Sequence, residues 1–327
     1  MRCAATLSCF VLSYLQCSSD ETDTVTTARF HSISTAPLPI SLLVTPVLEC
    51  RTRVLRCLGK LPPFSPVLNR VLASIAHEDV SFSAVSDLIE KDTVLAGNIL
   101  KIVNSALYGR RGTVSSVRHA VSLLGINKIR NAVLSMSIAR MWASVRTPPG
   151  WSMTRFNMHS VAVAILCDLL AQYTSVEYGE GAFIAGLLHD VGLLLIAVAV
   201  PDEYSTVEKL YRQGGRSWCD CELDIFGFTH PEISAEALTA WNLPEPIREC
   251  VVEHHTIAGR ALASDVRLAT LLFAANGYVN HAGLTVHSEF SDADQPDPEP
   301  CRMLAGDSTD RILTDWKAEV KTVSAFF

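Results

Sequence analysis

The feature that most constrains this chain is the stretch Gly186-Leu187-Leu188-His189-Asp190-Val191-Gly192. It sets an adjacent imidazole and carboxylate inside a run, Ala182 to Val200, that is otherwise almost wholly apolar. Taking a carboxylate out of water is costly unless it is paired, hydrogen-bonded or bound to a metal. A fold that buries this run must therefore bring partners to Asp190 from elsewhere in the chain. The candidates are His159 before the pair, and His230 and the doublet His254-His255 after it. Each stands in a segment that reads as helical or as a helix boundary.

Around this stretch the chain reads as helical throughout. Val67, Val71, Leu72 and Ile75 recur at helical spacing, Asp92 is placed to cap a helix from about Val94 to Ala106, and Ser115 or Ser116 to cap the next. Gly125 ends that helix and Asn127 opens another towards Ala143. A helix from about Thr154 to Tyr173 carries His159, and Glu180 to Val200 reads as one helix bent at Gly192. The expected fold is all-α, a multi-helix bundle with an N-terminal helical subdomain. Residues 1–57, rich in Ser, Thr and Pro, read as a leader without sustained order beyond a short helix near Leu48 to Leu58. Residues 58–280 form the domain, divided at Thr147-Pro148-Pro149-Gly150 into 58–147 and 151–280. Residues 281–327 read as an acidic, mostly flexible tail with a short helix near Arg311 to Val320.

The order of motifs resembles the HDOD family, the HD-related output domain, a degenerate branch of the HD phosphohydrolase superfamily. The resemblance covers roughly Leu58 to Tyr278 and rests on Leu61-Pro62-Pro63-Phe64, Ile102-Val103-Asn104-Ser105-Ala106-Leu107-Tyr108-Gly109, Ala120-Val121-Ser122-Leu123-Leu124-Gly125 and the His-Asp stretch. It continues through Glu222, Phe226-Gly227, His230, Trp241-Asn242-Leu243-Pro244, His254-His255 and Ala275-Asn276. It implies an HD-type bundle in which His159, His189 and Asp190 bind a divalent transition metal, with His230, His254 and His255 as the further ligands of two-metal members. Imidazole and carboxylate suit such ions.

Two departures bear on activity. Where the superfamily places a late Asp after an Ala, this chain has Ala275-Asn276, and where phosphodiesterase members place a Lys it has Leu193. A neutral amide does not replace the lost charge, and Asp265 stands too early on that helix to substitute for it. The resemblance therefore implies a non-catalytic signal-transduction or regulatory module that works through a signalling protein partner or a ligand. The alternative is a metal-dependent phosphohydrolase acting on a nucleotide or cyclic dinucleotide.

The net charge of −7 disfavours nucleic acid as a partner. Between Asp92 and Asp168, however, every charged residue is basic, and Arg110, Arg111 and Arg118 are the candidates for contact with a phosphate-bearing ligand. The Gly125 turn resembles a helix-turn-helix, but the apolar residues Ile129, Val133, Met136 and Met141 leave its second helix little free face. Met1 to Gln16 faintly resembles a secretory signal, yet Thr6, Ser8, Ser13 and Tyr14 interrupt its apolar centre. Cysteines scattered through apolar patterns read as reduced thiols, and with no spanning run the expected compartment is the cytoplasm. His281 and His287 fall outside the motifs and read as exposed loop residues; His77 and His119 have no partner visible in sequence.

Overall fold

The computed structural model describes residues 41–59, 66–76, 86–87, 89–104, 113–257, 266–287 and 292–324. Its helices in chain order are α1 (Ser41–Leu58), α2 (Pro66–Ala76), α3 (Thr93–Val103), α4 (Val117–Leu124), α5 (Ile126–Trp142), α6 (Met153–Tyr173), α7 (Ala182–Leu188) and α8 (Val191–Ala199). They continue as α9 (Pro201–Tyr211), α10 (Trp218–Phe226), α11 (His230–Ala240), α12 (Glu245–Glu253), α13 (Leu268–His281), α14 (Glu299–Ala305) and α15 (Thr309–Val323), with no strand among the described residues.

The N-terminal helices are fixed by polar caps. The Asp92 Oδ1 accepts from the Val94 and Leu95 amides at 3.1 and 3.0 Å, while its Oδ2 takes Arg140 from α5 at 2.8 Å. Asn104 ends α3 as a clamp: its Nδ2 donates to the Leu100 and Val114 carbonyls and its Oδ1 accepts from the Val114 amide, all at 2.8 Å. That accounts for this Asn structurally, because it satisfies a terminal carbonyl and pins the following segment at once. Ser116 caps α4, whereas α5 starts at Ile126 behind Gly125 with no side-chain cap, two residues earlier than a cap at Asn127 requires. Ile129, Val133, Met136 and Met141 of α5 are all buried, together with Trp142.

The second half is built around α6, which packs against α7, α13 and α15. The run from Glu180 to Val200 is not one helix bent at Gly192. It breaks at the His-Asp pair itself: α7 ends at Leu188, α8 begins at Val191, and Asp190 sits between them at φ −99°, ψ 11°. Gly192 serves instead as the point where α8 meets α11, since a Cβ there would stand 2.1 Å from the His230 carbonyl oxygen. Gly186 does the same for α7 against α6, where a Cβ would stand 2.6 Å from the Ala164 Cα. The stretch Gly179–Ala199 is long and apolar enough to cross a membrane, with mean hydropathy 2.2, but 89% of that window is buried in the fold.

Three expectations are corrected. Helix α1 includes the short helix expected near Leu48 to Leu58 but starts earlier, at Ser41, and it packs into the fold rather than preceding it: Val54 is fully buried, and Arg51 and Arg53 pair with Glu236 and Glu203. Residues 218–226, given no helix from sequence, form α10 behind a Ser217–Asp220 capping box. In the tail, the short helix expected near Arg311 to Val320 is the longer α15, and it packs against the core. Ile312, Trp316 and Val320 put one buried stripe on α15, and the Trp316 indole donates to the Ala162 carbonyl of α6 at 2.9 Å. A repeat of apolar residues every fourth position outweighs an acidic composition once there is a core face to cover.

Candidate metal centre

Five side chains from four parts of the fold converge. His159 comes from α6, His189 and Asp190 from the break between α7 and α8, His230 from the first turn of α11, and His254 from the end of α12. All five are buried. The His159 and His189 Nε2 atoms lie 3.4 and 3.2 Å from Asp190 Oδ2 and 3.3 Å from each other. The His230 and His254 Nε2 atoms lie 3.4 and 3.6 Å from Asp190 Oδ1. Asp190 therefore stands between two groups of imidazoles, one on each oxygen.

What the other ring nitrogens do decides what the cluster can hold. Each Nδ1 faces an acceptor: Leu284 O for His159 and Gly186 O for His189, both at 2.8 Å, and Val251 O for His254 at 2.6 Å. For His230 the acceptor is Glu222 Oε2 at 2.8 Å. A ring nitrogen facing a carbonyl or carboxylate carries the hydrogen, which in the neutral ring leaves the Nε2 lone pair bare. Bare lone pairs packed around a carboxylate repel one another unless a cation or a proton sits among them. His230 Nε2, His254 Nε2 and Asp190 Oδ1 are buried and have no hydrogen-bond partner. Two donors sharing one first-row ion at about 2.1 Å each lie roughly 3.0–3.4 Å apart, close to the spacings seen here. The residues fit a divalent transition metal, with Asp190 able to serve an ion on either side.

The electrostatics agree. Burial by itself would raise Asp190, but the positive character of the imidazoles closing on it, His189 foremost, holds its carboxyl well below the usual range. Burial pushes His254 down to about 4, with Asp190 only partly opposing. Burial also works against a charged His230, yet the Glu222 carboxylate overrides it and raises His230 well above the ordinary value. Glu222 is itself fully buried and takes hydrogen bonds from the His230 amide, the His230 ring and the Trp218 indole. A carboxylate behind a ligating imidazole is a recurring device for fixing its tautomer and its basicity.

The cluster opens into a cavity of about 400 Å³. His255 sits exposed at its rim, its ring 5.0 Å from that of His230. Leu193 and Asn276 both line the cavity, the Asn276 Oδ1 accepting from Asn280 Nδ2 at 2.9 Å. Among the described residues none that lines the cavity is Lys or Arg. Arg118 is elsewhere, on the surface, paired with Asp87 at 2.9 Å; Arg110, Arg111, His77 and Asp265 lie outside the described residues. His119 and His281 are exposed, but His287 is not a loop residue in water: it is partly buried, stacks on Trp218 at 3.6 Å between ring centroids, and lines the cavity. Trp218, Tyr211 and Asp294 join it on that wall, and the sequence reading missed all three. Cys219 stands near Glu222 and His230, but Glu222 is already saturated by protein donors, so this trio reads as support for His230.

Similarity to other proteins follows the same lines. A solved HDOD domain protein of unknown function from Geobacter sulfurreducens superposes with a TM-score of 0.65 at 23% identity, covering 86% of this chain and 97% of that one. A Shewanella amazonensis SB2B protein provisionally named a phosphohydrolase gives 0.62 at 21%, covering 84% and 97%. A Marinobacter aquaeolei VT8 protein provisionally named a signal transduction protein gives 0.63 at 18%, covering 88% and 68%. These likenesses are of fold. An uncharacterized protein of Treponema pallidum (strain Nichols) is 25% identical over 219 residues, which is 65% of this chain but only 41% of that protein. The HDOD domain model matches residues 61–257, a stretch that contains every member of the buried cluster, and the chain belongs to the HDOD family.

Proposed function

We propose that this chain is a signal-transduction module whose HD-type centre holds a divalent transition metal and binds a ligand or partner without turning it over. One observation carries the reading: the donor set is intact around Asp190, whereas Asn276 and Leu193 occupy the cavity wall where a hydrolytic HD centre has a carboxylate and a lysine. Bound metal would supply Lewis acidity and positive charge to the floor of the cavity. The chain's own residues then do the holding. His159, His189, His230, His254 and Asp190 are the ligands, Glu222 orients His230, and His255 waits at the rim.

Among the described residues, a phosphate-bearing ligand in this cavity would meet the metal and no Lys or Arg, and Arg118 pairs with Asp87 away from it. A second role for the centre, hydrolysis of a nucleotide or cyclic dinucleotide, is favoured by the buried Glu222–His230 pair beside an open cavity. Nucleic acid is not among the proposed partners, because the face of α5 that would enter a groove is packed into the core. A signalling protein partner and a cytoplasmic setting belong to the same proposal.

The test is a phosphodiesterase assay with manganese on the wild type and on an Asn276→Asp, Leu193→Lys double variant. The account predicts no turnover by the wild type and measurable turnover by the double variant. Wild-type turnover at rates typical of enzymes, at or above about 1 per second, contradicts it in favour of the phosphohydrolase.

A further inference from the structure

The outer wall of the cavity is formed by a strap, residues 292–297, which follows the α13 segment and precedes α14; Ala293, Asp294, Gln295, Pro296 and Asp297 all line the cavity. It lies beyond the stretch matched by the family model. Its Asp294 Oδ2 accepts from the Trp218 backbone amide at 2.6 Å, and the Tyr211 hydroxyl also bonds this carboxylate. The Trp218 amide belongs to the first turn of α10, whose amides have no partner within the helix. The same residue's indole nitrogen donates to Glu222 Oε1 at 2.9 Å, and the other Glu222 oxygen holds both the backbone amide and the Nδ1 of His230, each at 2.8 Å.

One continuous chain of short hydrogen bonds therefore runs from the strap to a candidate metal ligand: Asp294, Trp218, Glu222, His230. Trp218 is only 4% exposed and Glu222 not at all, so neither can trade these bonds for water. The strap, moreover, covers the same cavity onto which His230 faces.

We propose that Asp294 is a positioning residue for His230, acting through Trp218 and Glu222, so that closing the strap over the cavity and tightening the metal centre are one event. The proposal rests on the metal-binding reading above. Asp294 bound to the Trp218 amide fixes the start of α10 and the plane of the indole. The indole then holds Glu222 at the angle that keeps its second oxygen on His230 Nδ1. When the strap lifts, this support is lost, and His230 is freer to rotate away from the ion. Coupling of this kind is reciprocal, so metal must hold the strap down by the same factor by which the strap strengthens metal binding. Loss of an outer-shell partner typically weakens a metal by about 10-fold to 100-fold.

The experiment uses the full chain, stripped with chelator and titrated with cobalt(II), whose visible absorption reports the site. Asp294→Ala is expected to weaken cobalt by about 10-fold, while Asp294→Asn, which keeps an oxygen acceptor, restores most of the affinity. Trp218→Phe keeps the ring and removes the indole donor, and should lose a similar factor. Combined with Asp294→Ala it should add little, because both act on one path. Hydrogen exchange of residues 292–297 should slow when cobalt is added to the wild type, and much less in Asp294→Ala. Equal cobalt affinity in wild type and a folded Asp294→Ala, or fully additive losses in the double variant, overturns this inference alone. No cobalt binding by the wild type overturns the metal reading and this inference with it.

Discussion

The two sides of Asp190 are built differently. On the Oδ2 side, His159 and His189 are held through their Nδ1 atoms by backbone carbonyls, Leu284 and Gly186, and their Nε2 atoms close a near-equilateral triangle with the carboxylate oxygen. On the Oδ1 side, His254 is likewise held by a backbone carbonyl, Val251, but His230 is held by a side chain, Glu222, and the donor atoms are left without hydrogen-bond partners beside a cavity rimmed by His255. The Gly186 carbonyl belongs to α7 and does not move without it, and Leu284 is tied back to α13 by its amide on the Val279 carbonyl at 3.2 Å. A carboxylate tied to a tryptophan tied to a surface strap can move. The comparison teaches that one side is built for permanence and the other for exchange, which is what a centre that senses rather than turns over requires.

The largest effect should come from removing what the two sides share. Asp190→Ala is expected to abolish metal binding on both, a loss of affinity beyond the roughly 100-fold that outer-shell changes cause, measured by cobalt titration. The two contact glycines separate the sides. Gly192→Ala drives a methyl into the His230 carbonyl and Gly186→Ala into the Ala164 backbone. Each should destabilise by about 3 kcal/mol in thermal melts, the upper part of the range for overpacking. In the folded fraction, Gly192→Ala should disturb metal binding on the Oδ1 side, and Gly186→Ala on the other. Equal disturbance of both sides by either variant would break the comparison.

Acid should act on the exchange side next. His254 titrates near 4 in the fold because it is buried, against 6.5 when unfolded. Between those values the unfolded chain binds a proton that the fold refuses, so the metal-free protein loses stability as pH falls from 6.5 towards 4, by roughly 3 kcal/mol at most. His230 runs the other way: its folded value is raised, so its contribution is present at low pH and is lost as pH rises through that value. Denaturant melts of wild type and His254→Gln across this range should show the acid slope flattened in the variant. A still smaller effect is expected at Glu222→Gln, about 10-fold in metal affinity. Breaking the exposed Arg118–Asp87 pair should cost less than about 1 kcal/mol and leave metal binding unchanged.

Much of this centre was legible in the sequence because burial left Asp190 few alternatives. A carboxylate in an apolar run demands partners, and all of the histidines nominated for it arrive there or at the rim. The bundle was legible too, from caps such as Asp92 and Ser116 and from helical spacing of apolar residues. The outer wall was not. His287, Trp218, Tyr211 and Asp294 belong to separate short segments whose meeting depends on tertiary packing, and no local pattern marks a stacked pair or a single strap carboxylate. In the tail the helix near Arg311 to Val320 was legible, with Ile312, Trp316 and Val320 at helical spacing, but its packing against α6 was not, because the Pro and acidic residues at 289–300 pointed to a flexible segment. The break at His189-Asp190 was hidden for the opposite reason: glycine drew the bend to Gly192, whose actual work is to let α8 approach α11.

The most direct test of the account is the metal content of the full chain purified without chelator, set against Asp190→Ala prepared in the same way. The account predicts close to one or more equivalents of a divalent transition metal in the wild type and none in the variant. No metal in either preparation would contradict it and leave the buried cluster as a protonated network that holds four helical segments together.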